Sequence, residues 1–187
     1  MAKLRTFICF ELPSQVNDAI AELEEKLRPL SRGVRWSRPE SIHLTLKFLG
    51  DVDEADIDPI AQAIQKACKH VSAFDIQLLG AGAFPNAKRP RIFWLGITEP
   101  SGALERLQRD IETGLESIGF EKEARAFSPH LTLGRVRFPD QLDRVSQYLE
   151  DHALDSVSFR ADSVILMQSK LTPRGAVYTP LRKINLK

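Results

Sequence analysis

Short apolar runs alternate with segments of helical period along the whole chain. Residues 4–12 are aromatic and apolar enough to predict a strand. Pro13-Ser14 then punctuates, and Val16, Ala19, Ile20, Leu23, Leu27 and Leu30 follow at helical spacing, with Ser14 as the expected N-cap. Gly33 ends that unit. Residues 42–49 alternate and predict a strand. Asp53 is expected to cap a helix that carries Ile57, Ile60, Ala61, Ile64, Ala67 and Cys68 on one face. Residues 74–79 predict a further strand, and 84–91 read as the loop between two lobes.

The same order follows again. Residues 91–98 predict a strand. Ser101 is expected to cap a helix bearing Leu104, Leu107, Ile111, Leu115 and Ile118. Residues 130–136 predict a strand, and Asp140 a cap for a short helix with Leu142, Val145, Tyr148 and Leu149. Residues 156–168 and 176–184 read as strands joined by a turn at Thr172-Pro173-Arg174-Gly175. Each half is thus strand, helix, strand, helix, strand. The expected class is α+β: a bilobal, pseudo-two-fold duplication, with two antiparallel sheets lining a central cleft and helices on the outer faces. Residues 1–187 form one domain of two lobes, approximate repeats 1–87 and 88–187.

The duplication rests on more than element order. His43-Leu44-Thr45-Leu46 recurs letter for letter as His130-Leu131-Thr132-Leu133, displaced by 87 positions. Chance recurrence is on the order of once in several hundred such chains. Pro13-Ser14 and Pro100-Ser101, Ser41 and Ser128, and Asp53 and Asp140 keep the same offset.

Side chains alternate across a strand, so His43 and Thr45 share one face while Leu44 and Leu46 share the other. The same holds for His130 and Thr132. Leucines facing helices make an ordinary core. The opposite face then offers an imidazole beside a hydroxyl, twice over. Imidazole exchanges protons near neutral pH, and hydroxyls donate to anions. Two histidines on opposite sides of one phosphorus suit in-line phosphoryl transfer, one as base and one as acid. Zinc would need a third ligand, and the nearby acids Glu40 and Asp51 lie outside the strand core, so no metal and no cofactor is expected. His70 and His152 lack such a context and are read as surface residues.

Composition narrows the partners. A net charge of +1 in 187 residues gives no global field for long nucleic acid, so an RNA ligand must be short or gripped locally. The first apolar stretch, Phe7-Ile8-Cys9-Phe10, is too short for a secretory core, and no run approaches the ~20 residues of a membrane span. The protein is expected to be cytoplasmic, without membrane contact, and monomeric. Cys9 and Cys68 read as reduced core residues.

The two motifs stand in the contexts Ile42-His43-Leu44-Thr45-Leu46-Lys47-Phe48-Leu49-Gly50 and Pro129-His130-Leu131-Thr132-Leu133-Gly134-Arg135-Val136. They resemble the signature motifs of the 2H phosphoesterases, and within them most closely those of the RNA 2′,3′-cyclic phosphodiesterases, also called 2′-5′ RNA ligases. The resemblance extends to Phe7, Phe10, Arg35-Trp36, Ala83-Phe84-Pro85, Phe93-Trp94-Leu95-Gly96, Gly175 and Tyr178.

What the resemblance implies is a metal-independent hydrolase that opens 2′,3′-cyclic phosphates at RNA ends, or on nucleotides, to 2′-phosphomonoesters. It also implies reversible 2′-5′ ligation. His43 would be the proton donor and His130 the acceptor, although the near-symmetry of the motifs leaves their order open to sequence reasoning. Thr45 and Thr132 would bind the phosphate. So would Arg135, provided the strand ends or bulges at Gly134, because a regular strand puts Arg135 opposite His130. Lys47 has the parity to join them in the first copy. Phe48, Phe84 and Tyr178 are candidates for base or ribose contact, and Lys88-Arg89-Pro90-Arg91 for the RNA backbone. The alternatives are a 2′-5′ oligonucleotide phosphodiesterase and a binding module that sequesters a nucleotide or RNA end without turnover.

Overall fold

The protein, as a computed structural model, is described over residues 3–173 and 175–187. Nine strands and four helices are present among them: β1 Lys3–Glu11, α1 Ser14–Leu27, β2 Val34–Trp36, β3 His43–Asp53, α2 Ile57–Cys68, β4 Phe74–Phe84, β5 Ile92–Thr98, α3 Ala103–Glu116, β6 His130–Val136, α4 Leu142–Asp151, β7 Ser158–Ala161, β8 Ser163–Thr172 and β9 Gly175–Asn185. A first sheet has the order β3-β1-β8-β9 and a second β2-β6-β5-β4-β7. All pairings are antiparallel. Helices α2 and α3 pack together, α2 against β8 and β9, α3 against β3, and α4 against β4. This is the α+β architecture that the alternating pattern predicts.

The run β1-α1-β3-α2-β4 is matched by β5-α3-β6-α4-β8, but the third strands trade places. β4 lies beside β5, and β8 lies beside β1. Strands from both sequence halves therefore build each sheet. The apolar run in β1 follows from its position. Ile8 and Phe10 enter the main core on the helix side, while Phe7 and Cys9 join Ile165, Met167 and Tyr178 in a separate cluster on the other side. A strand buried on both faces has no polar alternation to show.

Several expectations change. Residues 156–168 are not one strand: the chain breaks at Asp162, and the pieces β7 and β8 belong to different sheets. The short β2 carried no readable pattern. Neither Ser14 nor Asp53 caps a helix. Ser14 is already the first residue of α1, and a 3-10 turn over Glu54–Asp56 precedes α2. Asp140 instead accepts a hydrogen bond from the Arg32 amide at 2.7 Å. Ser101 does serve α3, its hydroxyl accepting from the Ala103 amide, with the Glu99 carboxylate taking that of Leu104. The turn expected at 172–175 includes Arg174, which lies outside the described residues.

The motif leucines fill the core as anticipated: Leu44, Leu131 and Leu133 are fully buried and Leu46 nearly so. Leu131→Ala is expected to cost about 2–5 kcal/mol in urea unfolding, whereas Leu79→Ala, at a side chain that is 52% exposed, should stay within about 0.5 kcal/mol.

Candidate functional site

His43 and His130 each open a motif strand, and each is held in the same way. His43 Nδ1 lies 3.0 Å from the Ser41 carbonyl and His130 Nδ1 lies 2.7 Å from the Ser128 carbonyl. A carbonyl can only accept, so Nδ1 carries the proton in both rings and Nε2 is left as the working nitrogen. The repeated Ser41 and Ser128 thus supply main-chain anchors two residues ahead of each imidazole.

The walls around the two rings differ. Phe7 stacks on His43 with centroids 4.5 Å apart, and Tyr178 meets it edge-on at 5.0 Å. Burial in this aromatic box pulls the His43 pKa down to about 4, against a weaker upward influence from the Ser41 hydrogen bond. His130 has Phe84 edge-on at 5.0 Å and Trp94 at 6.5 Å. Trp94 lies flat on β4 because residue 82 is glycine. A Cβ there would stand 2.6 Å from the indole ring.

Both motif strands contain an extra residue at the same place. Ile8 pairs with Lys47 but Cys9 with Thr45, so Leu46 is unpaired in β3. Phe93 pairs with Gly134 but Trp94 with Thr132, so Leu133 is unpaired in β6. Each bulge puts two successive residues on the core side and returns the next to the face of the histidine. Arg135 is thereby exposed on the side of His130 and Thr132, and Phe48 on the side of His43 and Thr45. The bulge that Arg135 requires exists, one residue earlier than Gly134.

The same bulge removes Lys47 from the phosphate candidates. Its Nζ is buried 2.7 Å from Glu112 Oε2 on α3 and 2.8 Å from the Glu121 carbonyl. Gln108 Nε2 bridges the Leu46 carbonyl and Glu112 Oε1, at 3.4 and 3.2 Å, and the Glu123 amide donates to Glu112 Oε2 at 3.3 Å. This network clamps the first bulge to α3 and to the segment that leads toward His130. The parity argument for Lys47 assumed a regular strand.

The two motif faces look onto shared space. β3 and β6 approach each other across the sheets. Arg135, on the second sheet, is the largest influence opposing the burial that raises the pKa of Tyr178, on the first. Arg38 donates to the Ala176 carbonyl at 3.3 Å, tying the segment after β2 to the β8–β9 hairpin. Of the aromatic candidates, Tyr178 touches His43, Phe84 touches His130, and Phe48 stands 65% exposed with its ring 6.1 Å from Phe7. Phe7 and Trp94 were missed as walls of the site. Their strand parity with the motif positions was the signal that could have found them. His152 stacks on Tyr148, and His70 lines an outer groove of about 830 Å³ between α2 and α3, which none of the motif residues line. Cys9 and Cys68 are buried and free, with burial raising both thiols. No helix among the described residues is long and apolar enough to cross a membrane.

The clamp predicts a specific pattern of stabilities. Lys47→Met should cost about 3–5 kcal/mol by stranding the buried Glu112 carboxylate. Lys47→Met combined with Glu112→Leu should recover most of that loss, as read by chemical denaturation and a double-mutant cycle.

The sequence and the fold have parallels among known proteins. Residues 12–172 match the family described as the 2′-5′ RNA ligase superfamily. An RNA 2′,3′-cyclic phosphodiesterase of Methanothermobacter thermautotrophicus is 33% identical over 185 residues, covering 98% of this chain and 100% of its own. One of Thermotoga maritima is 34% identical over 179 residues, covering 95% and 93%. A solved structure from Thermus thermophilus superposes with a TM-score of 0.81 at 27% identity, covering 97% of each chain. Apo LigT of E. coli has a TM-score of 0.79 at 23% identity, covering 100% of this chain and 99% of its own, which speaks to the fold alone.

Proposed function

The chain belongs to the 2′-5′ RNA ligase superfamily, and on that premise we propose that it hydrolyses 2′,3′-cyclic phosphates at RNA ends, or on nucleotides, to 2′-phosphomonoesters by acid–base catalysis between His43 and His130. The observation that carries this reading is the doubled imidazole. Each ring is fixed through Nδ1 to a carbonyl two residues back, and each presents Nε2. The names of the relatives at 33% and 34% identity support the same substrate.

In the proposed reaction one water is consumed. His130 Nε2 takes a proton from the water as its oxygen attacks phosphorus. The bond from phosphorus to the 3′ oxygen breaks, and His43 gives that oxygen a proton. The product carries a 2′-phosphate and a 3′-hydroxyl, and exchange with solvent resets both rings. Thr45, Thr132 and Arg135 hold the non-bridging oxygens and bear the developing charge. Phe48, Phe84 and Tyr178 bracket the terminal nucleoside. With a 5′-hydroxyl in place of water, the same exchange leaves a 2′-5′ linkage.

His43→Ala and His130→Ala should each lower kcat by about 10²–10⁴-fold on a 2′,3′-cyclic-phosphate RNA end. Wild-type turnover should persist in excess chelator, with phosphorus NMR showing the 2′-phosphate. Tight binding without turnover would instead mark a sequestering module, and turnover abolished by chelator would overturn the metal-free mechanism.

The donor role proposed for His43 has a pH signature. Burial keeps His43 neutral in the free protein down to about pH 4. As the donor, it must gain its proton with the substrate, whose anionic phosphate favours the imidazolium. The free-enzyme profile, kcat/KM, should therefore have its acid limb near 4. In the profile of the complex, kcat, that limb should move up by about one unit or more. A limb that stays near 4 in both profiles would show that His43 takes up no proton with the substrate and would overturn its assignment as donor.

A further inference from the structure

The bulge at Leu133 has a second effect on β6. It turns Arg135 to the cleft face, where Arg135 stands directly opposite Arg35 of β2, with Ile92 of β5 on the other flank. Residues in register share a face, so both arginines stand on the cleft side, and both are exposed. Like charges directly opposed on neighbouring strands are unfavourable. Elsewhere in the cleft such charges are balanced. Arg5 faces Asp51 across the β1–β3 ladder, and Arg38 Nε lies 3.9 Å from Glu40. Among the described residues, neither Arg35 nor Arg135 makes an ion pair. A row of two uncompensated guanidiniums in a cleft is what a bound anion would relieve.

Arg35 is not placed to share the phosphorus at which the histidines work. Its strand lies one spacing beyond β6, about 4.8 Å, on the side away from β5. Its Nη2 reaches the β8–β9 hairpin, 3.7 Å from the position a Cβ would take on Gly175. Tyr178, which touches His43, lies three residues further along β9, about 10 Å. Arg35 therefore stands outward from the histidines along the cleft.

We propose that Arg35 binds the phosphodiester on the 5′ side of the terminal nucleotide, while Arg135 serves the terminal phosphate, so that the cleft is built for an RNA end of at least two nucleotides rather than a lone cyclic nucleotide. The inference rests on the phosphodiesterase reading for the identity of its ligand. Its test is an equilibrium measurement that needs no turnover.

Titration calorimetry with uridine 2′-phosphate and with the dinucleotide UpU ending in a 2′-phosphate gives an affinity ratio. Wild type should favour the dinucleotide by about tenfold, the worth of one charge-assisted contact. In Arg35→Gln that ratio should fall to near one, and the log–log salt slope for the dinucleotide should shrink by about 0.7. Arg35→Lys, which keeps the charge, should retain part of the ratio. Arg160→Gln, at an arginine paired with Asp75 on β4, controls for general electrostatics and should leave the ratio as in wild type. A wild-type ratio near one would overturn the proposal. So would an Arg35→Gln variant that weakens both ligands equally, since Arg35 would then act on the terminal phosphate or on the fold. If the ratio behaves as expected while a 2′,3′-cyclic-phosphate RNA end is not turned over, the hydrolase reading fails and the phosphate subsite stands.

Discussion

One residue inserted directly after each motif threonine holds this cleft together. A regular β6 would keep Arg135 on the face opposite His130, with a guanidinium pointing at the helix side. The bulges at Leu46 and Leu133 reverse that phase after the threonine. Histidine, hydroxyl and one further side chain then share a face in both halves. The opposite face gains two consecutive buried positions, Leu46-Lys47 in one strand and Leu133-Gly134 in the other. Bulges are common beside working sites because they re-aim a side chain without breaking the sheet.

The halves solve the packing of that second buried position differently. Gly134 avoids it: a Cβ there would come within 2.8 Å of Val34 and 3.0 Å of Trp36. Lys47 fills it and needs a complete set of partners, supplied by Glu112 and the Glu121 carbonyl. Such a pair is weak evidence of stability in itself, because desolvating both charges offsets their attraction. Its structural effect is to join the strand of one histidine to the chain leading to the other.

The legible part of the sequence was the part governed by period. Alternation around His43 and His130, the apolar runs of β1 and β5, and the helical stripes of α2 and α3 all report which side faces the core, and the structure agrees with them. What escaped depended on position in three dimensions. Residues 156–168 look like one strand because both pieces are apolar, and only the break at Asp162 sends them to different sheets. Lys47 looked like a phosphate ligand because a bulge leaves no mark in a hydrophobicity pattern. Ser14 and Asp53 have the chemistry of caps, but the turns before their helices take other routes. Phe7 and Trp94 enter the sequence reading only as residues that carry the family resemblance, yet they stand against the imidazoles.

The exchange of β4 and β8 carries an implication for descent. A polypeptide containing only one repeat would leave its first strand with an open edge and its third without a sheet. Two copies exchanging third strands would close both sheets and bring one histidine from each copy to a common cleft, an arrangement characteristic of swapped two-fold dimers. In such a dimer the two histidines are the same residue, and symmetry forbids them to differ in acidity before a ligand binds. Within a single chain no such prohibition holds. Phe7 and Ile92, which occupy matching ladder positions, could then part company, and the two imidazoles could acquire separate surroundings.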